Sequence, residues 1–145
     1  MGRGGRLLAG ILLIVGCAVT SKAQNARPTQ SRSSASPKPC STSLVALRSH
    51  PSWPPQLPLP PRTTVVSCEE RSGGGLVIDA VVDAQFRTVL TFLQRWLPAA
   101  GFPLGDGEVE RGDAESDFTG HGYFGRWSIR PLESQTLLSL FTVRA

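Results

Sequence analysis

Leu76-Val77-Ile78-Asp79-Ala80-Val81-Val82-Asp83-Ala84-Gln85-Phe86-Arg87-Thr88-Val89-Leu90-Thr91-Phe92-Leu93-Gln94-Arg95-Trp96-Leu97 passes from a strand composition to a helical period in one run. Its first seven residues are apolar or β-branched apart from Asp79, the composition of a strand. After Asp83 the period changes. Phe86, Val89, Leu90, Leu93 and Leu97 fall at i, i+3, i+4, i+7 and i+11, one face of a helix, while Arg87, Gln94 and Arg95 point elsewhere. Asp83 stands where an N-cap belongs, and Pro98 with Gly101 closes the helix. A strand running into an amphipathic helix implies a sheet on which that helix lies.

Working outward, Thr63-Thr64-Val65-Val66-Ser67 is β-branched and reads as a strand before the Gly73-Gly74-Gly75 turn. Beyond the helix, Ala114 to Thr119 leads through Gly120-His121-Gly122 into Tyr123-Phe124-Gly125-Arg126-Trp127-Ser128-Ile129-Arg130. Pro131 to Gln135 turns the chain, and Thr136 to Arg144 ends it. The expectation is an α+β domain over residues 63–145, with the order β-β-α-β-β-β. One amphipathic helix packs on a mostly antiparallel sheet.

The 145 residues suffice for one core, and their composition divides at Arg62. Residues 1–62 carry eight basic side chains and no acid, with nine of the twelve prolines; residues 63–145 carry seven Arg against eleven acids. The basic residues therefore sit largely outside the domain, which argues against a nucleic-acid partner. Residues 18–62 are rich in Ser, Pro, Thr, Gln and Arg, too polar to offset ordering entropy of about 1–2 kcal/mol per residue, and read as a disordered tether. Within it, Pro51 to Pro61 is the stiffest part, read as a spacer whose Trp53 and Leu59 rest on the domain, with a Pro-rich ligand for an aromatic groove as the alternative.

The first 17 residues read as an export signal. Arg3 and Arg6 precede the apolar run Leu7–Gly16, which is short of the roughly 20 residues a membrane span requires. Ile14-Val15-Gly16-Cys17 resembles the lipobox of bacterial lipoproteins and implies lipid attachment at Cys17. Cleavage after Ala23, in Ser21-Lys22-Ala23, is the competing reading. Either route places the mature chain outside the cytoplasm, secreted in one case and lipid-anchored to the cell membrane in the other.

Four further segments carry a resemblance: Leu57-Pro58-Leu59-Pro60-Pro61, Leu97-Pro98-Ala99-Ala100-Gly101-Phe102, Glu115-Ser116-Asp117-Phe118-Thr119-Gly120 and Gly125-Arg126-Trp127. Over residues 57–145 the chain resembles small exported or lipid-anchored actinobacterial proteins of unassigned function. The likeness implies a compartment and a small α+β fold, not an activity. In those proteins a cysteine often lies near the turn before the last strand, where this chain has Glu133-Ser134-Gln135.

Cys40 and Cys68, left over once Cys17 is assigned, are expected to pair in an oxidising compartment, tying the tether's end to the first strand. Six carboxylates fall between Asp106 and Asp117, yet Arg111 stands where an EF-hand requires Gly and Asp117 where it requires Glu. The segment reads as a solvated acidic hairpin, and no metal site is expected. His50 and His121 have no Ser or Cys partner motif, and Gly73–Gly75 precedes a strand rather than a helix. No catalytic residue or cofactor is expected. The aromatic hairpin around Tyr123, Phe124 and Trp127 is the candidate ligand face, although alternation puts Tyr123 and Trp127 opposite Phe124. These readings converge on a non-catalytic binding or interaction module of the cell envelope, held to the membrane by its N-terminal lipid, with an envelope protein or small ligand as partner. A small secreted enzyme using the hairpin 106–117 and a structural accessory subunit are the alternatives.

Overall fold

The computed structural model describes residues 38–145, so Cys17 and the signal segment lie outside the described residues. The described chain forms strands β1 (Lys38–Pro39), β2 (Thr63–Arg71), β3 (Gly75–Val82), β4 (Leu104–Glu110), β5 (Asp113–Gly120), β6 (Tyr123–Leu132) and β7 (Gln135–Arg144). Helix α1 (Leu44–Arg48) follows β1, and α2 (Phe86–Ala99) joins β3 to β4. All seven strands make one antiparallel sheet in the order β1-β2-β3-β7-β6-β5-β4. The α+β class with a principal amphipathic helix is as expected, with one strand more than expected after the helix.

That strand is β4. Leu104-Gly105-Asp106-Gly107-Glu108-Val109-Glu110 buries nothing on either side beyond a half-buried Leu104, so no alternation announces it. It is the outer strand of a hairpin on β5. Its exposed Asp106, Glu108 and Glu110 put like charge along the open edge, which discourages edge-to-edge pairing with another sheet.

One sheet face is the core. Leu76, Ile78, Ala80 and Val82 of β3, Leu138 and Leu140 of β7, Trp127 and Ile129 of β6, and Ala114 and Phe118 of β5 are all buried on it. Against it α2 sets Val89, Leu93 and Leu97, each at most 1% exposed. The helix begins at Phe86 with Gln85 as its N-cap, later than Asp83 had suggested. Asp83 is drawn elsewhere: its N–H donates to Arg62 O at 3.2 Å and its carboxylate pairs with the Arg62 guanidinium. At the other end Phe102 N–H donates to Leu97 O and Gly101 N–H to Pro98 O, at 2.9 and 3.0 Å. With Gly101 at φ +86° this is a Schellman cap, and Leu97 and Phe102 supply its apolar contact.

The expectation of a disordered tether through residue 62 needs correction, because residues 38–62 belong to the fold. Leu47, Trp53 and Leu57 are at most 4% exposed and join the same core. Cys40 is disulfide-bonded to Cys68, with Cα atoms 5.1 Å apart. A bulge makes that geometry available. Val65 faces Ala80 and Ser67 faces Asp79, leaving Val66 unpaired and exposed. The extra residue rephases β2, so Val65 and Cys68 both point into the core although three positions apart. Without it Cys68 would face away from Cys40.

Candidate functional site

The aromatic hairpin does not assemble as a ligand face. Trp127 is 1% exposed within the core, and Tyr123 reaches the other way along the chain, donating its hydroxyl to Pro51 O at 3.1 Å. Phe124 lies on the opposite sheet face against Phe141, ring centroids 6.5 Å apart. The neighbouring glycines serve packing rather than backbone exposure. A Cβ on Gly125 would collide with the Phe118 ring, and one on Gly120 with Gly101 O and Phe102.

The opposite sheet face is uncovered by any described element. Ser67, Asp79, Ser139, Ser128 and Glu115 follow one another across five strands in a polar row. It separates Val77, Phe141 and Phe124 from Val81 and Leu137, so the apolar side chains never merge into one patch. The charges on this face are matched internally. Arg126 Nε donates to Asp117 at 2.6 Å and its Nη1 lies 3.5 Å from Glu115; Arg130 pairs with Asp113 at 3.4 Å. The hydrogen bond and charge of Asp117, with Glu115 beside it, raise the Arg126 pKa above its ordinary value. The acidic hairpin is thus partly neutralised across the sheet, while Asp106, Glu108 and Glu110 stand in solvent. Among the described residues no three His, Cys, Asp or Glu side chains converge to hold a metal ion.

The concavity with unmatched chemistry lies elsewhere, between α2 and the chain entering β2. It is half open and holds about 300 Å³. Pro60 and Pro61 form one wall, Phe92 and Trp96 the other, with Ala84 and Thr88 toward the helix start. Phe92 and Trp96, one helical turn apart, have ring centroids 6.3 Å apart. Trp96 is 50% exposed, unusual for so large an apolar surface. Two guanidinium groups stand at the rim. Arg95 sits 5.6 Å over the Trp96 ring, a cation–π distance, and meets no carboxylate among the described residues. Arg62 is held by Asp83 at 3.2 Å on a backbone of φ +60°, a left-handed conformation that costs a non-glycine residue about 1–3 kcal/mol.

Sequence reasoning about the helix stopped at its apolar stripe and so missed this groove. The available signal was Trp96 itself, an aromatic outside the Phe86–Leu97 stripe and next to an Arg. No family model fits the chain, and no curated protein or solved structure matches it.

Proposed function

We propose that this chain is an extracytoplasmic lipoprotein of the cell envelope, anchored through Cys17, whose domain is a non-catalytic binding module. The groove carries the binding part of this reading: an apolar slot walled by prolines and aromatics, with Arg95 unmatched at its rim. Such sites, apolar walls with few oriented polar groups, are the usual form of small-ligand pockets. The compartment rests on the export signal and is supported by the Cys40–Cys68 bond, a kind of cross-link that persists outside the reducing cytoplasm. The kinship with exported actinobacterial proteins is part of the same proposal and rests on the segments quoted above.

Mass spectrometry of the protein taken from its own cells tests the anchor and the compartment together. The expected mature N-terminus is a lipidated Cys17, with Cys40 and Cys68 protected from alkylation until reduced. An unlipidated chain beginning at Gln24 removes the anchor; reactive thiols in intact cells remove the compartment.

A further inference from the structure

The geometry points to one class of ligand for the groove: a free, single-chain amphiphile with an apolar tail and an anionic carboxylate or phosphate head. This deepens the binding-module reading and depends on it. The volume of about 300 Å³ lies at the small end of ligand sites, which run from roughly 300 to 1,000 Å³, so a single tail or ring fits where a folded partner does not. Both walls are apolar and stiff. Pro60 and Pro61 have fixed backbone angles, while Phe92 and Trp96 share one helix face.

Charge selects the head. The fourteen residues of α2 include two arginines and no acid, no carboxylate lines the groove among the described residues, and Asp83, next to Ala84 in the chain, is engaged by Arg62. Arg95 has no carboxylate on its donors among the described residues, and its guanidinium carbon lies 5.6 Å from the centroid of the Trp96 ring. A guanidinium offers paired N–H groups in the fork that carboxylate and phosphate oxygens accept. The concave form, a half-open slot between helix and proline wall, favours a separate molecule over a flat bilayer surface.

The experiment titrates the full mature chain with dodecyl phosphate, dodecanoate, dodecyltrimethylammonium and neutral dodecyl maltoside, each below its micelle concentration, and in a parallel arm with phosphatidylglycerol vesicles. Trp53 and Trp127 are 1% exposed and Trp96 is half exposed, so ligand-induced change in tryptophan emission reports the groove. Saturable binding is expected for the two anions, with the cation weaker by about tenfold or more. Arg95→Gln should weaken the anions about tenfold and leave dodecyl maltoside unchanged. Trp96→Ala, followed by calorimetry, should weaken all four while leaving the thermal melt nearly unchanged, since the side chain is half in water. Equal affinity for all four heads, indifference to Arg95→Gln, binding only to phosphatidylglycerol vesicles, or no binding would each overturn the proposal. None of these outcomes bears on the N-terminus or the thiols, so the compartment reading stands or falls separately.

Discussion

Helix α2 and residues 40–62 both close the core face of the sheet, but their order comes from different sources. α2 satisfies its own backbone through helical hydrogen bonds, and its periodic stripe delivers Val89, Leu93 and Leu97 to the sheet at regular intervals. Residues 40–62 include six prolines and only the five-residue helix α1. Their backbone is fixed instead by links to distant strands. Ser52 Oγ donates to Gly74 O at 2.5 Å, Thr142 Oγ1 donates to Ser52 O at 2.7 Å, and His50 Nε2 meets Glu70 at 3.1 Å. The disulfide anchors the near end at Cys68. A segment with few apolar residues can thus be a structural cover when covalent and polar links reduce the entropy it must lose.

The largest effects should come from the anchors of the two covers, measured in parallel by denaturant unfolding. Trp53→Ala removes the largest fully buried side chain of the irregular cover and should cost about 3–5 kcal/mol. Leu93→Ala, at 0% exposure under the helix, should cost about 2–5 kcal/mol; Leu90→Ala should cost less, because Leu90 is only partly buried. Trp53→Phe sharpens the test. The Trp53 indole N–H is buried with no hydrogen-bond partner among the described residues, so Phe gives up area and also removes an orphan donor. It should lose well under half of what the alanine variant loses. A negligible effect of Trp53→Ala beside a large one of Leu93→Ala would mean that the irregular cover is dispensable, and that the tether does extend to residue 62.

Next in size is the disulfide. Cys40 and Cys68 are 28 positions apart, and replacing both with Ser should cost about 3–4 kcal/mol by the chain-entropy account. Combined with Trp53→Ala the loss should be less than additive, because both changes release the same segment. Combined with Leu93→Ala it should be close to additive. An equal shortfall from additivity in both pairs would show that the covers are not independent, and full additivity in both would show that the disulfide does not hold the Trp53 segment.

This contrast also explains what the sequence made legible. α2 could be read because its pattern is local: each apolar residue lies three or four positions from the next. The two strands before it were legible from equally local signals, runs of apolar and β-branched residues on either side of the Gly73–Gly75 turn. Residues 40–62 were legible only at Trp53 and Leu59, expected to rest on the domain and found against its core; the rest was not, since Ser52 and Thr142 are 90 positions apart and neither is apolar. Three buried anchors among so many polar residues resemble the chance content of a linker. β4 escaped because both its faces are exposed, so no burial pattern was imposed on it. The Val66 bulge left no mark, yet it turns Cys68 inward. The pairing of Cys40 with Cys68 could be anticipated from the count and compartment, but not the geometry that permits it. The groove was hidden because its walls come from one legible element and one illegible one: Phe92 and Trp96 were visible on a helix, whereas Pro60 and Pro61 had no assigned place.

The smallest effects separate linkage from exposure. Thr142 is fully buried on β7 and donates to Ser52 O, so its hydroxyl is a direct tie between sheet and irregular cover. Thr142→Val keeps the shape, removes the donor and leaves the Ser52 carbonyl without this partner, for an expected loss of about 1–2 kcal/mol. Gln94→Ala, on the exposed side of α2, breaks no side-chain hydrogen bond among the described residues and should change stability by less than about 0.5 kcal/mol. Hydrogen exchange adds the spatial information. Thr142→Val should speed exchange at Trp53 and Leu57, whose amides bond to His50 O and Pro54 O, and leave the α2 amides near their original rates. If α2 loosens to the same extent, Thr142 supports the sheet as a whole and the two covers do not have separate sources of order.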